Sequence, residues 1–241
     1  MSHIADTETF NAKVLSVLDD IEYRRIDLKD EIHEIGRIRS EAYKVANLLT
    51  LEGPLVDEVD FDDQAYVFGV YHRGRLVSTV RLHHVTPDHR VTTTFKVFPN
   101  ELNALLDGGK SFIDPVRLSS DPEFVTAVPA NPYVTLRLAV MAAGYLGADH
   151  VIQLSTRQHA AFYRRVFNGK QVAQPIIAGG FNIPLGLQTT DVRETLVRLY
   201  ERYPFFRSTK VEQAALFDRS RGRVPSTPIR PSARECQSAD A

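Results

Sequence analysis

The stretch "FIDPVRLSSD" (residues 112–121) places Asp114 and Arg117 three residues apart in an apolar, strand-like run, around Pro115, and ends it in Asp121. Proline has no N–H for a sheet ladder, so Pro115 predicts an edge strand or a bulge. Two charges at a strand end are ordinarily a surface salt bridge. Here the neighbouring segments supply further arginines and aspartates, which argues instead for a charged cluster inside a cleft. A carboxylate beside Arg117 is expected to titrate low.

Upstream, the spacing from Asp27 to Leu49 is helical, with Ile32, Ile35, Ala42, Ala46 and Leu49 on one stripe. Arg39 falls on that stripe, so it is either buried and paired or snorkels past its neighbours to solvent. An acidic loop, "VDEVDFDD", supplies Asp57 and Asp60. "YVFGVY" (66–71) and "RLVSTVRLHHV" (75–85) read as strands joined by a hairpin at "HRG". His83 and His84 read as surface residues at that strand's end. A third apolar run, around residues 93–98, and the 112–118 segment read as the next two strands.

Downstream, "YVTLRLAVMAAGYLG" (133–147) reads as a helix with Leu138, Met141, Ala142 and Tyr145 on one face and Gly147 near its end. "HVIQLS" (150–155) is a short buried strand and "RQHAAFYRRVF" (157–167) a helix. Residues 171–187 supply one or two strands, and "VRETLVRLYERY" (192–203) another helix. The order helix, antiparallel strands, then helix–strand–helix is α+β and fits neither a helical bundle nor a TIM barrel.

The chain of 241 residues, 43% hydrophobic and 24% charged, suits one domain with short ends. Residues 1–20 are polar and acidic and read as a flexible leader, residues 21–215 as the folded domain. Residues 216–241, rich in Pro, Ser and Arg, read as a disordered basic tail, either solvated or a weak docking arm. A net charge of -1 gives no field for nucleic acid or anionic membrane. The single cysteine, Cys236, excludes disulfide staples and cysteine-based zinc sites, and no histidine spacing points to a metal. No segment approaches the ~20 apolar residues of a membrane span, and a cytoplasmic location is expected.

The element order, with "AAFYRRVFNGKQV" closing a strand–helix unit, resembles the GNAT-like acyltransferase superfamily. The set Arg39-x-x-x-Tyr43, Asp57-x-x-Asp60, Tyr66, Arg81, Phe95 and Asp114-x-x-Arg117 resembles, over roughly residues 23–175, the acyl-homoserine lactone (autoinducer) synthases and, among their relatives, the bacterial N-acyl amino acid synthases. Tyr43 stands where the lactone synthases carry Phe, and Asp114 where they carry Glu. The absence of tryptophan favours the amino-acid branch over a lactone synthase that uses S-adenosylmethionine.

The resemblance implies a mostly antiparallel central sheet flanked by helices. It implies transfer of a fatty acyl chain from the phosphopantetheine of acyl carrier protein to an amino-acid amine, with no other cofactor, giving a product able to partition into membranes. Asp114 and Arg117 are then the candidate catalytic pair. Asp114 would anchor the ammonium or pass its proton through a water, and a bulge at Pro115 would free an N–H for the oxyanion. Arg39, Tyr43, Asp57, Asp60, Arg81 and Phe95 are candidates for the substrate site, the charged ones as a single ion-pair cluster. No glycine stands between Ser111 and Ala143, so the usual backbone nest for the coenzyme A pyrophosphate is missing. Arg137, Arg157, Arg164, Arg165 and Lys170 are the candidate docking surface for an acidic carrier. The reading from another class is a catalytically silent GNAT-like domain that binds a carrier through this basic face.

Overall fold

The computed structural model describes residues 2–50, 53–220 and 222–238. Helix α1 (Ser2–Leu18) leads into β1 (Ile21–Arg25) and α2 (Ile32–Val45). A hairpin, β2 (Ala65–His72) and β3 (Arg75–Val85), is followed by α3 (Pro99–Asp107), β4 (Phe112–Ser120) and α4 (Pro122–Ala127). Then come α5 (Asn131–Leu146), β5 (His150–Ser155), α6 (Arg157–Phe167), β6 (Lys170–Ile176), β7 (Leu185–Asp191), α7 (Val192–Arg202), α8 (Lys210–Phe217) and α9 (Ala233–Ser238). Among the described residues the strands form one seven-stranded sheet in the order β1-β2-β3-β4-β5-β7-β6. Every pairing in it is antiparallel except β4 with β5.

Local chemistry sets the ends of the elements. Gly147 closes α5 in the left-handed conformation (φ 68), which costs glycine nothing. The Thr156 hydroxyl caps α6 by accepting from the His159 amide, as residues of its type do at helix starts. Alternation along the central strands sends Leu82, Ile113 and Val80 into one core, with α5 and the Phe205–Phe206 turn. Val85, Phe112, Ile152 and Leu187 go to the other face, against α3. Helix α2 seals a third cluster through Ile32, Ile35 and Ile38.

What positions the site is a failure of pairing. The parallel strands β4 and β5 pair only at Phe112–His150 and Ile113–Val151, and part where Pro115 offers no N–H. On its other side β4 bulges. Arg81 pairs with Val116 and Thr79 with Ser119, so Arg117 and Leu118 together oppose Val80 alone, and Arg117 takes a left-handed φ of 56. The bulge expected from Pro115 is present, but β4 is an interior strand rather than an edge.

Four expectations are corrected. Residues 2–18 form a helix instead of a flexible leader, because Val14, Leu15 and Leu18 share a face that packs into the main core. Residues 93–98 make a single 3-10 turn (Thr93–Lys96) running toward α3 rather than a strand. The described part of 216–241 is packed, not disordered. Ile229 exchanges backbone hydrogen bonds with Tyr23, extending the β1 edge, and Ala233 is buried. Two of its arginines are also engaged: Arg219 lies over the Tyr66 ring at 4.1 Å and Arg234 pairs with Asp19. Last, His83 is fully buried within β3 rather than on the surface.

Candidate active site

Three arginines and two aspartates from four elements form one lattice. Asp60, in the 3-10 turn Glu58–Phe61, accepts from Arg39 of α2 at 2.8 Å and from Arg81 of β3 at 3.0 Å. Asp57 accepts from Arg81 at 2.6 Å and from Arg117 of β4 at 2.8 Å. The turn is locked by its own acids, since the Asp60 carboxylate also accepts from the Asp57 amide. Arg39, Arg81 and Asp60 are closed to solvent, so Arg39 is buried and paired rather than snorkelling. Burial opposes ionisation of Asp57, yet Arg81 and Arg117 hold its carboxyl down at about 2.

Arg117 and Asp57 are the members that reach water, with side chains 12% and 30% exposed. The Arg117 guanidinium lies 5.8 Å over the Tyr43 ring, and both line a cleft of about 320 Å3 at the point where β4 and β5 part. Pro115, Val116 and Leu118 form one wall and Leu154, Ser155 and Thr156 the other, with Thr93 and Ile183 at the rim. Behind Pro115, Leu154 and Tyr163 the cleft continues into a narrow apolar pocket of about 40 Å3 between α5, α6 and α7, lined by Leu136, Ala139, Leu196 and Leu199.

Asp114 is not beside Arg117. It is fully buried on the sheet face that looks toward Thr92, whose hydroxyl donates to it at 2.5 Å, and its other oxygen has no partner. Burial raises its carboxyl to about 6, with the Thr92 and Thr94 hydroxyls and the Arg81 charge pulling the other way. The low titration expected from an adjacent Arg117 is therefore reversed, because the bulge turns Arg117 toward Asp57. Directly across the register from Asp114 stands His83, whose pKa is driven well down by burial and then by Arg81. Residues next in sequence to Asp114 and Thr92, namely Pro115 and Thr93, line the cleft.

The lattice Arg39–Asp60–Arg81–Asp57–Arg117 and Tyr43 come together as the spacing implied. Phe95 does not reach the cleft and packs against the α3-side core. Arg137 leaves the basic surface altogether. It is fully buried, bound through two nitrogens to Glu212 of α8 and donating to the Phe205 carbonyl at 2.9 Å. Its partner lies 75 residues away, so no local signal marks it. Arg157, Arg164 and Arg165 are exposed on α6, and Lys170 is exposed and paired with Glu194. The residues missed in the sequence are His83, Thr92 and Ser155. Only His83 carried a cue, being two residues from Arg81 and thus on the same face of β3.

A mixed sheet that opens between two parallel strands, with a bulge at the opening and an apolar pocket behind it, defines a GNAT-like acyltransferase. The chain belongs to the N-acyl amino acid synthases: the family model described as N-acyl amino acid synthase FeeM matches residues 34–191. It is an acyltransferase that produces N-acyl amino acids. No curated protein matches the sequence. Among solved structures, that of FeeM, an N-acyl amino acid synthase from uncultured soil microbes, superposes with a TM-score of 0.62 at 18% identity, over 75% of this chain and 97% of the other. BjaI, a coenzyme A-dependent acyl-homoserine lactone synthase, superposes at 0.50 and 16% identity, over 73% and 82%. At these identities the superpositions speak for the fold. Among the described residues no helix is long and apolar enough to cross a membrane.

Proposed function

We propose that the chain moves a fatty acyl group from acyl carrier protein to the α-amine of an amino acid, in the cytoplasm. The observation that carries this reading is the gap between β4 and β5, open to solvent on one side and to an apolar pocket on the other. A thioester lying in it puts its carbonyl at the Arg117 bulge and its acyl chain behind Pro115. The free amine attacks that carbon, the C–N bond forms, the C–S bond breaks and the thiol leaves. Arg117 and Asp57, the open members of the lattice, meet the acceptor's carboxylate and ammonium, while Arg39, Asp60 and Arg81 hold them in place. Asp114, whose carboxyl is raised toward neutrality, takes the amine's proton through a water passing Thr92 and Thr93.

The donor reading rests on the loop after β4. It holds no glycine, and the Asp121 carboxylate already accepts from the Phe124 amide at the start of α4, so negative charge stands where a pyrophosphate would need free N–H groups. Arg157, Arg164, Arg165 and Lys170 offer a basic face to an acidic carrier. The test is an assay of the purified protein with one acyl chain on carrier protein and on coenzyme A, against a panel of amino acids, read by mass spectrometry and repeated at higher salt. Acyl amino acid from the carrier donor, made with a KM that rises with salt, is the expected result. A higher kcat/KM with coenzyme A would reject the donor, and a lactone from S-adenosylmethionine would reject the acceptor.

A further inference from the structure

A separate pocket of about 200 Å3 lies between α6 and the β7–β6 edge of the sheet. Arg157 and Arg164 face it one above the other, seven residues apart, with the small Ala160 between them. Neither forms an ion pair with a described residue. Gln171 and Gln174 of β6 close one side. The floor is Ser155 of β5 and Gln188 of β7, 6% and 3% exposed, yet the Ser155 hydroxyl and the Gln188 side-chain oxygen hydrogen-bond nothing. Buried polar atoms normally have partners, and an amide can present either its oxygen or its NH2. The lining contains no carboxylate. Two unpaired guanidinium groups, a hydroxyl and three amides form a receptor for an oxyanion.

The pocket is continuous with the thioester cleft. Ser155 lines both, and Arg157 and Gln174 belong to a shallow mouth that also includes Thr156 and Gln158 of the cleft. Strand β7 separates β5 from β6, so the far wall stands about 10 Å from the cleft. An acceptor's α-carboxylate, two bonds from the attacking nitrogen, cannot span that distance. A phosphate at the far end of the long, flexible pantetheine arm can.

We propose that this pocket seats the phosphate of the phosphopantetheine donor, held by Arg157 and Arg164 over Ser155 and Gln188. The proposal rests on the acyl-transfer reading for its biological occupant but names a site of its own.

It is tested with the full chain and one acyl group carried on 4′-phosphopantetheine or on pantetheine. The wild type is expected to prefer the phosphorylated donor about 10-fold or more in kcat/KM, the scale of a charge-assisted contact, and Arg164→Gln to bring that ratio close to one. Calorimetry with unacylated 4′-phosphopantetheine supplies a readout free of turnover, with binding weakened about 10-fold in Arg157→Gln and in Arg164→Gln. Holo carrier protein and coenzyme A bear the same phosphate, and both should lose affinity in these variants. A wild type indifferent to the phosphate overturns the proposal, as does a loss confined to carrier protein, which would make the arginines a protein-docking surface. A rise in the amino-acid KM at an unchanged donor ratio would assign the pocket to the acceptor and also overturn it. Arginine-dependent phosphopantetheine binding without acyl transfer would leave the pocket standing while the catalytic reading fails.

Discussion

Asp114 couples reactivity to strain at a single residue. Its carboxyl titrates at about 6 in the folded protein and near 3.9 in an unfolded chain, so the native state binds the proton more tightly. Stability is therefore lost as pH rises between these values, by up to about 3 kcal/mol, and the loss is complete above pH 6. Two results should follow from Asp114→Asn. Its kcat should fall ~100-fold or more and the acid limb of the pH–rate profile near 6 should vanish. In urea titrations the same variant should be more stable than the wild type at pH 8 and gain little at pH 4. Wild-type turnover in the folded Asn variant would remove Asp114 from the mechanism. Arg39 shows the opposite sign. Removing it leaves Asp60 buried with one partner fewer, and Arg39→Ala should cost about 3 kcal/mol, a fall in Tm on the order of 10 °C in a chain of this size. An unchanged midpoint would place Arg39 outside the load of the lattice.

Elements whose signal is local were legible; those whose meaning depends on distant partners were not. β5 and α6 have the limits read from their apolar runs, because a buried strand, a threonine cap and an amphipathic helix are all written within twenty residues. The run 93–98 is as apolar as a strand, but its backbone bonds close on themselves, the Val97 and Phe98 amides both donating to the Thr94 carbonyl, and Pro99 at once begins α3. His83 reads as polar and is buried because its face of β3 looks onto a loop, 92–94, that only the fold brings there. Arg137 reads as surface because Glu212 lies three helices further along. One element also depends on a close approach. A Cβ at Gly36 of α2 would fall 2.5 Å from a Val56 methyl and 3.0 Å from the Pro54 ring. Gly36→Val should push α2 off the 54–57 loop, costing about 1–3 kcal/mol. Because Arg39 lies less than one turn further on, the KM for the amino acid should rise as well. Unchanged stability and KM would show that the loop yields freely.

At the scale of the whole molecule the two ends of the described chain close over one another. The Ser232 hydroxyl and amide both donate to Glu212, which holds Arg137 in the main core, and Ile229 pairs with Tyr23 at the sheet edge. A chain ending after Asp218 keeps all of the cleft but should unfold at a lower temperature than the full chain and be cut faster by proteases. Matching Tm values would mean that the segment rests on the surface without supporting it.

The same closure bears on how the protein is made. A ribosome delivers α5 and its arginine long before Glu212, and Glu212 before Ser232, while sheet and helices begin to collapse as they emerge. Through that interval the nascent chain must carry an unneutralised guanidinium where its core is to form. The Arg137–Glu212–Ser232 cluster is thus complete only after residue 232 clears the exit tunnel. The acyl pocket beneath α5 does not wait for that step, since its walls run only from Pro115 to Leu199 and have all emerged before Glu212.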